Sequence, residues 1–378
     1  MGAPIKILFC SSGKTYGHFL RIHALYQAVK HDFRCLEIAN PTKFVLPFSF
    51  PEQIITKYMY FANDYFTSYE SLAENIKKLN NLLNIHRPNL VIGDKLPNLM
   101  TSCFQLKIPY ISLSHAIQIT YNWQNLSNPN LVLFGRYWSE NSLVKPVSDN
   151  SWFFYRNWGN LIVFTDYPVA DTENLEKSGY RFRFIGPIPP SIGDDRDHVG
   201  KIRRFFNRNN SNLIVLVAFS SYASKETDNL VVNLARQFPR TTFIYPRNDG
   251  GHFLDLIKEE NFRNIYSPDF IDTDLAKLLA NLVICLPGAG TLSSLSDYKG
   301  KILGFYVHPE QAANAANYSS DNFSFHKLDE KSPAICADLI EGALKITNFP
   351  KIDKAMDNGA ALRKKFLPII SEFIPAKD

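Results

Sequence analysis

A glycine-rich turn in the last third of the chain has residue types that could bind a ligand. Gly288, Ala289, Gly290 and Thr291 follow the apolar run LVICLP and open a segment with helical spacing. Glycine lets a ligand approach the main chain, and the free amides at a helix start carry partial positive charge. Such a turn can hold a diphosphate, with the Thr291 hydroxyl as a further donor. An ordinary left-handed turn capped by threonine is the alternative interpretation.

A second polar pair, Glu310 and Gln311, follows the next apolar run, KILGFYV. A carboxylate beside an amide can bind two or three hydroxyl groups of a sugar ring through directional hydrogen bonds. The alternative is a good start to a helix, since a glutamate there suits the helix dipole.

Groups that can exchange protons follow apolar runs in the first half. His18, preceded by Gly17, lies beyond IKILFC; Asp94 ends NLVIGD, and His115 ends IPYISLSH. A histidine with a pKa near neutrality can take a proton from a hydroxyl group, and Asp94 could polarise it. A capping histidine, a solvated carboxylate and a structural histidine are the respective alternatives.

The elements that must position these residues alternate between short apolar runs and amphipathic segments. This order predicts an α/β protein with parallel sheets covered by helices. A Pro, Gly and charge cluster at GPIPPSIGDDRDHVG interrupts the alternation, so we place a linker there. We expect two tandem doubly wound domains, residues 1–186 and 187–350, facing across a cleft. We also expect a C-terminal helix, residues 351–378, that packs back across the junction.

Composition narrows the class of protein. The 378 residues suffice for two cores, the net charge is +5 without a dense basic block, and the five cysteines are scattered. Nucleic acid is therefore not an expected partner, and no residue group has the spacing of a metal site. The absence of a leader and of a long apolar run predicts a cytoplasmic protein, and leaves peripheral contact with the inner face of the membrane open.

The residues from Asn264 to Ala315 resemble the nucleotide-sugar-binding region of the GT-B glycosyltransferases. The similarity is to the peptidoglycan N-acetylglucosaminyltransferase type and the UDP-glycosyltransferases, through Gly-Ala-x-Thr and Pro-x-(Asp/Glu)-Gln-x-x-Asn-Ala. YGHFLR, Tyr16 to Arg21, resembles their first loop, closest to a Gly-His-x-x-Arg subgroup. Two positions depart from the pattern. Ser294 stands where a ribose-binding glutamate is usual, and Leu286 where a histidine is frequent.

The resemblance implies roles for individual residues. The Gly288 turn would bind the diphosphate of a nucleotide sugar, and Glu310 with Gln311 would orient its hexose. Phe270 and Ile271 would contact the nucleobase, and Ser220 and Ser221 a phosphate. His18 would be the base or would donate to a phosphate oxygen, and Asp94 would be its catalytic partner or bind an acceptor hydroxyl. Gly17 and His115 would bind substrate, with His115 lining the acceptor site in the first domain.

The resemblance therefore predicts a metal-independent hexosyltransferase without a cofactor. Its donor would be UDP-linked, and its acceptor a small molecule, a glycan or a lipid-linked molecule. Three alternatives remain open: a nucleotide-sugar hydrolase in which His18 activates water, an epimerase of the same fold, and an inactive sugar-nucleotide-binding protein suggested by Ser294 and Leu286.

Overall fold

The computed structural model of the protein describes most of the chain. The described residues are 5–11, 16–39, 53–55, 66–116, 129–143, 159–166, 180–188, 196–209, 211–219, 224–247, 251–268, 271, 276–318, 320–345 and 358–374. They form two compact units. Unit 1 contains the described residues up to 188 together with 358–374, and unit 2 contains those from 196 to 345.

Unit 1 is built on a seven-stranded parallel sheet. Its strands are β1 (Lys6–Ser11), β2 (Arg34–Ala39), β3 (Gln53–Ile55), β4 (Leu90–Asp94), β5 (Tyr110–Ser114), β6 (Leu161–Phe164) and β7 (Phe182–Phe184). Their spatial order is β3-β2-β1-β4-β5-β6-β7. The described side chains of β1, β4, β5 and β6 are almost all buried, which explains why these strands read as continuous apolar runs.

Helices cover both faces of this sheet. They are α1 (Tyr16–Val29), α2 (Tyr69–His86), α3 (Pro97–Gln105), α4 (Pro129–Glu140) and the last described helix, α11 (Asn358–Ser371). One core lies under α2, α3 and α4 and the other under α1 and α11. The C-terminal helix therefore belongs to unit 1, where Phe366 and Ile370 are fully buried beside Leu25 of α1.

Helix α2 shows how the sequence determines its own boundaries. Ser68 and Ser71 form a reciprocal capping box, in which each hydroxyl accepts from the other's amide at 3.2 Å. Leu72, Ile76, Leu79 and Leu83 then recur at helical spacing and are all buried. The helix ends at a left-handed Arg87, whose amide donates to the Leu83 carbonyl, and Pro88 follows.

Unit 2 repeats the architecture with six parallel strands. They are β8 (Leu213–Ala218), β9 (Thr241–Ile244), β10 (Ile265–Tyr266), β11 (Leu282–Cys285), β12 (Lys301–Tyr306) and β13 (Phe323–Lys327), in the order β10-β9-β8-β11-β12-β13. The helices are α5 (Arg196–Arg208), α6 (Lys225–Gln237), α7 (His252–Glu259), α8 (Ala289–Ser294), α9 (Pro309–Asn317) and α10 (Ser332–Leu344). Two cores again pack on opposite faces of the sheet.

None of the five cysteines, all of which lie among the described residues, forms a disulfide, and all five are buried, as expected for reduced core residues. Within the described part of the chain, no helix is both long and apolar enough to cross a membrane.

Gly93 in β4 offers a test of how tightly the first sheet is packed. A Cβ atom there would lie against the hydroxyl of the fully buried Tyr110 and 3.0 Å from its ring carbon Cζ. We expect Gly93→Ala to lower the free energy of unfolding by about 1–3 kcal/mol through overpacking. Gly342 of α10 is the matched control, because a Cβ atom there meets nothing within 4 Å.

For Gly342→Ala the helix propensity of alanine predicts no loss, and a gain of up to about 1 kcal/mol. Urea denaturation of both variants gives the comparison. Equal stability of Gly93→Ala and the wild-type protein would mean that Tyr110 can move aside.

Candidate active site

The sheet of unit 1 reverses its strand order beside β1, which has β2 on one side and β4 on the other. In open α/β sheets, ligands bind at such a switch point, outside the carboxyl ends of the strands. Asp94 is the last residue of β4, and the register pairs its predecessor Gly93 with Cys10 of β1. The carboxyl end of the reversal therefore carries a buried carboxylate.

Helix α1 brings two basic side chains to that carboxylate. His18 and Arg21 are three residues apart and so share one face of the helix. Arg21 donates from Nε (2.9 Å) and from Nη2 (2.7 Å) to Oδ2 of Asp94. His18 Nδ1 lies 2.8 Å from Oδ1 of Asp94 and 2.8 Å from Nη2 of Arg21. The three side chains form one cluster, which we call the His18 triad.

The His18 triad is buried, and burial determines its charge states. Asp94 is fully buried and the other two side chains are about one-tenth exposed. Burial alone would raise the pKa of Asp94, but Arg21 and His18 outweigh it and hold that pKa well below its usual range. Burial lowers the pKa of His18 to about 4, against the opposing effect of Asp94. At neutral pH the triad therefore combines an ionised carboxylate, a guanidinium and a neutral imidazole.

A second His–Asp pair follows the next two strands of the sheet. His115 comes directly after β5, and its Nδ1 lies 3.7 Å from Oδ2 of Asp166, which follows β6. The other carboxylate oxygen of Asp166 accepts from the Ala116 amide at 2.8 Å. Burial, reinforced by Arg21, lowers the pKa of His115 to about 4, although Asp166 acts in the opposite sense.

Unit 2 reverses its strand order beside β8, between β9 and β11. The Gly288 turn follows β11 at the carboxyl end of that reversal. Gly288 has φ −66° and ψ 146°, so it is extended, and not left-handed as in the ordinary turn considered above. A Cβ atom at this position would meet only the Thr291 hydroxyl oxygen, at 3.8 Å. The described residues therefore do not require a glycine here.

The amides of Ala289, Gly290 and Thr291 precede the first hydrogen bond of α8, which runs from Leu292 N–H to the Gly288 carbonyl at 3.0 Å. A hydrogen bond from α9 fixes the position of the turn, because Asn314 Nδ2 donates to the carbonyl of Pro287 at 3.2 Å.

Gln311 is almost fully buried, and its Oε1 accepts from the Val307 amide at 2.9 Å. Its carbonyl oxygen therefore holds the loop before α9, and its Nε2 group is the part that could bind a ligand. Glu310 lies in the first turn of α9.

The structure describes some of the remaining predicted residues and not others. Gly17 lies in the first turn of α1, and Ile271 is buried in a core of unit 2. Ser220, Ser221 and Phe270 lie outside the described residues.

One of the two departures from the pattern of the resembling families has a structural explanation, and the surroundings of the other are defined. Leu286 is buried in an apolar core of unit 2, where a histidine would lose its hydration. At the end of α8, Lys277 Nζ donates to the carbonyl of Ser294 and to Oδ1 of Asp297, the latter at 2.7 Å. A lysine thus occupies the carbonyl end of the short helix that carries Ser294.

Three buried polar residues beside the site were not among the predicted site residues. A helix-surface position is the more frequent one for an arginine, yet Arg21 is buried against Asp94. Thr165 and Asp166 were missed altogether. Their signal was the polar Thr-Asp that follows the apolar run of β6, the same signal that identified Asp94 and His115.

Solved structures share this architecture over the whole chain. The glycotransferase of kitacinnamycin matches with a TM-score of 0.64 and 12% identity, covering 99% of this chain and 100% of its own. Medicago truncatula UGT71G1 complexed with UDP-glucose matches with a TM-score of 0.59 and 12% identity, covering 98% of each chain.

The UDP-GlcNAc 2-epimerase from Neisseria meningitidis bound to UDP-GlcNAc gives a TM-score of 0.58 and 11% identity, covering 97% of this chain and 100% of its own. A scan against protein-family models gives no match, and a search of curated protein sequences gives none either.

The chain has the GT-B fold, which confirms the two tandem Rossmann-like units predicted from the sequence. Within that fold, its particular features are the His18 triad at the strand reversal of unit 1 and the Gly288 turn at that of unit 2.

Proposed function

We propose that the protein transfers a hexose from a nucleotide sugar, most simply a UDP-sugar, to an acceptor hydroxyl group without a metal ion. The observation that carries this proposal is the His18 triad, a neutral imidazole held against an ionised carboxylate at a switch point. The fold supports it, because GT-B neighbours were solved with UDP, UDP-glucose or UDP-GlcNAc bound.

The proposed proton transfer runs through the triad. Oδ2 of Asp94 accepts twice from Arg21, and His18 Nδ1 lies 2.8 Å from both Oδ1 of Asp94 and Nη2 of Arg21. The transfer uses the tautomer in which Nδ1 carries the proton toward Oδ1. In that tautomer Nε2 of His18 carries the lone pair. As the acceptor oxygen attacks the anomeric carbon and the bond to the diphosphate breaks, Nε2 takes the hydroxyl proton. Asp94 then stabilises the imidazolium that forms.

Unit 2 would bind the donor. The amides of residues 289–291 would face the diphosphate and stabilise it as it leaves, the role that metal ions have in other transferases. Glu310 and the Nε2 group of Gln311 would hydrogen-bond to the hexose. In this scheme Ser220 and Ser221 bind a phosphate, and Phe270 with the main chain at Ile271 binds the base.

A second candidate function is hydrolysis or epimerisation of the nucleotide sugar. It is favoured by the epimerases among the structural neighbours. In the hydrolase His18 would activate water in place of an acceptor hydroxyl. The substitution of Ser294 for the usual glutamate favours a third candidate, a protein that binds sugar nucleotides without turning them over.

A ligand panel separates these functions. Thermal unfolding is measured with UDP, GDP, UDP-glucose and UDP-GlcNAc at millimolar concentration, and we expect the UDP compounds to raise Tm by mass action. UDP-sugars are then incubated with EDTA, with and without a mixture of acceptors. Turnover that requires an acceptor and survives EDTA supports transfer. Turnover without an acceptor indicates a hydrolase or epimerase, and no rise in Tm with any nucleotide overturns the donor site.

A further inference from the structure

His115 is buried, and one of its two ring nitrogens lacks a hydrogen-bond partner among the described residues. The side chain is about 3% exposed, and the nitrogen in question is Nε2. An unpaired polar atom this deeply buried costs free energy, so native proteins pair nearly all of them with protein, water or ligand. The question is which kind of group Nε2 requires.

The neighbours of His115 determine its tautomer. Thr165 Oγ1 has a single proton and lies 3.2 Å from the carbonyl of Ser114 and 3.3 Å from His115 Nδ1. With that proton directed to the Ser114 carbonyl, the oxygen accepts from Nδ1, which then carries the ring proton. Asp166, 3.7 Å away, favours the same tautomer. Nε2 is therefore a lone pair that requires a donor, such as a hydroxyl group.

This lone pair lies on the same face of the sheet as the His18 triad. Along β1, β4 and β5, alternate residues pack in the core under α1, and Ser11, Asp94 and His115 continue that alternation at the carboxyl ends. The register pairs Asp94 with Leu113, two residues before His115. One strand spacing across and two residues along separate them by roughly 8 Å between Cα atoms.

The same edge holds another unsatisfied group. Ser11 Oγ, at the end of β1, is buried and has no hydrogen-bond partner among the described residues. Strands β1 and β5, on either side of β4, thus present more buried hydrogen-bonding capacity than the described chain satisfies. A ligand with one hydroxyl group could engage His18 alone, whereas a polyol could satisfy the others as well.

We propose that the acceptor is polyhydroxylated, of the sugar class, and that His115 Nε2 accepts a hydrogen bond from a second hydroxyl group, not the one that reacts. The inference rests on the proposed function, and it makes His115 a specificity-determining residue. Thr165 and Asp166 are positioning residues that keep the lone pair on Nε2.

His115→Phe and His115→Gln test the proposal in the full-length protein. Phenylalanine cannot accept a hydrogen bond, and we expect it to raise KM for methyl glycoside acceptors by roughly 10- to 100-fold, with a small change in kcat. The side-chain oxygen of Gln can accept, so this variant should recover much of the loss. Neither variant should change the Tm increase caused by UDP. Equal KM in the wild type and both variants, or equal use of simple monohydroxy alcohols, would overturn the proposal.

A spectroscopic measurement keeps the proposal testable if the variants misfold. In protein labelled with ¹⁵N-histidine, Nε2 of His115 should resonate as a non-protonated nitrogen and shift when methyl glycosides are added. A protonated Nε2, or an unchanged resonance at saturating glycoside, contradicts the proposal. If glycosides shift this resonance but no nucleotide sugar binds, the proposed function fails while the polyol site stands.

Discussion

Replacing His18 by alanine is expected to lower kcat for sugar transfer by about 10²- to 10⁴-fold, the usual effect of removing a general base. The donor should still bind, because its proposed contacts are in unit 2, so the Tm increase caused by UDP should persist. His18→Gln is the matched control. Glutamine fills similar space and can hydrogen-bond to Asp94, yet it cannot take a proton at neutral pH. It should be as inactive as the alanine variant.

The pH dependence of kcat/KM checks the same assignment. Only the neutral imidazole can accept a proton, and burial lowers its pKa to about 4. We therefore expect a rate that is flat from neutral pH down to about pH 5 and then falls as His18 becomes protonated. A fall centred near 6.5, the ordinary histidine value, would mean that His18 is hydrated and not buried in the working enzyme.

The lowered pKa of His18 also affects folding, so the free energy of unfolding has to be measured at each pH of the activity assay. The unfolded chain binds a proton at His18 near pH 6.5 and the folded chain only near pH 4. The folded state therefore loses free energy of unfolding as pH falls from 6.5 to 4. If the His18→Ala variant keeps the wild-type kcat at pH values where both proteins are folded, His18 is not the general base.

Asp94→Asn is expected to lower both activity and stability. Arg21 donates twice to this carboxylate, and removing one partner of a buried pair leaves the other charge uncompensated. The typical cost is about 3–5 kcal/mol in free energy of unfolding. Activity should fall as well, since the imidazolium would lose its counter-charge. Urea denaturation followed by tryptophan fluorescence, together with the acceptor assay, measures both effects.

A double-mutant cycle separates these effects. Arg21→Leu alone leaves the Asp94 carboxylate without its guanidinium partner, whereas Arg21→Leu together with Asp94→Asn removes both charges. The double variant should therefore be more stable than the sum of the two single losses predicts. Its activity should stay low, because His18 still lacks an anionic partner. Strictly additive stability losses would show that the ion pair contributes little.

The sequence predicted the parts of the fold whose side chains are buried on both faces. Strands β1, β4, β5, β8 and β11 read as apolar runs because helices cover both sides of the sheets. The edge strand β13 escaped prediction because its residues are mostly exposed and lack such a run. Helix α5 escaped because it begins inside the charged stretch interpreted as linker, and five of its thirteen residues are Lys or Arg.

The candidate site was also only partly predictable from the sequence. His18, Asp94 and His115 could be recognised one by one, since polar residues at the carboxyl ends of buried strands are conspicuous in a sequence. Their pairing could not be predicted, because Arg21 contacts Asp94 across 73 positions and His115 lies 51 positions from Asp166. Such contacts depend on the strand order, which hydrophobic periodicity does not specify.

The burial of all five cysteines has a practical consequence. The thiolate is the form that reacts with maleimides, and burial raises the pKa of Cys285 and Cys336 to about 12. The native protein should therefore label slowly, so that an added surface thiol can be modified alone. Ile85→Cys in α2 and Leu344→Cys in α10 offer exposed positions, one in each unit. A fluorophore pair there would report by energy transfer whether substrates draw the two halves of the molecule together.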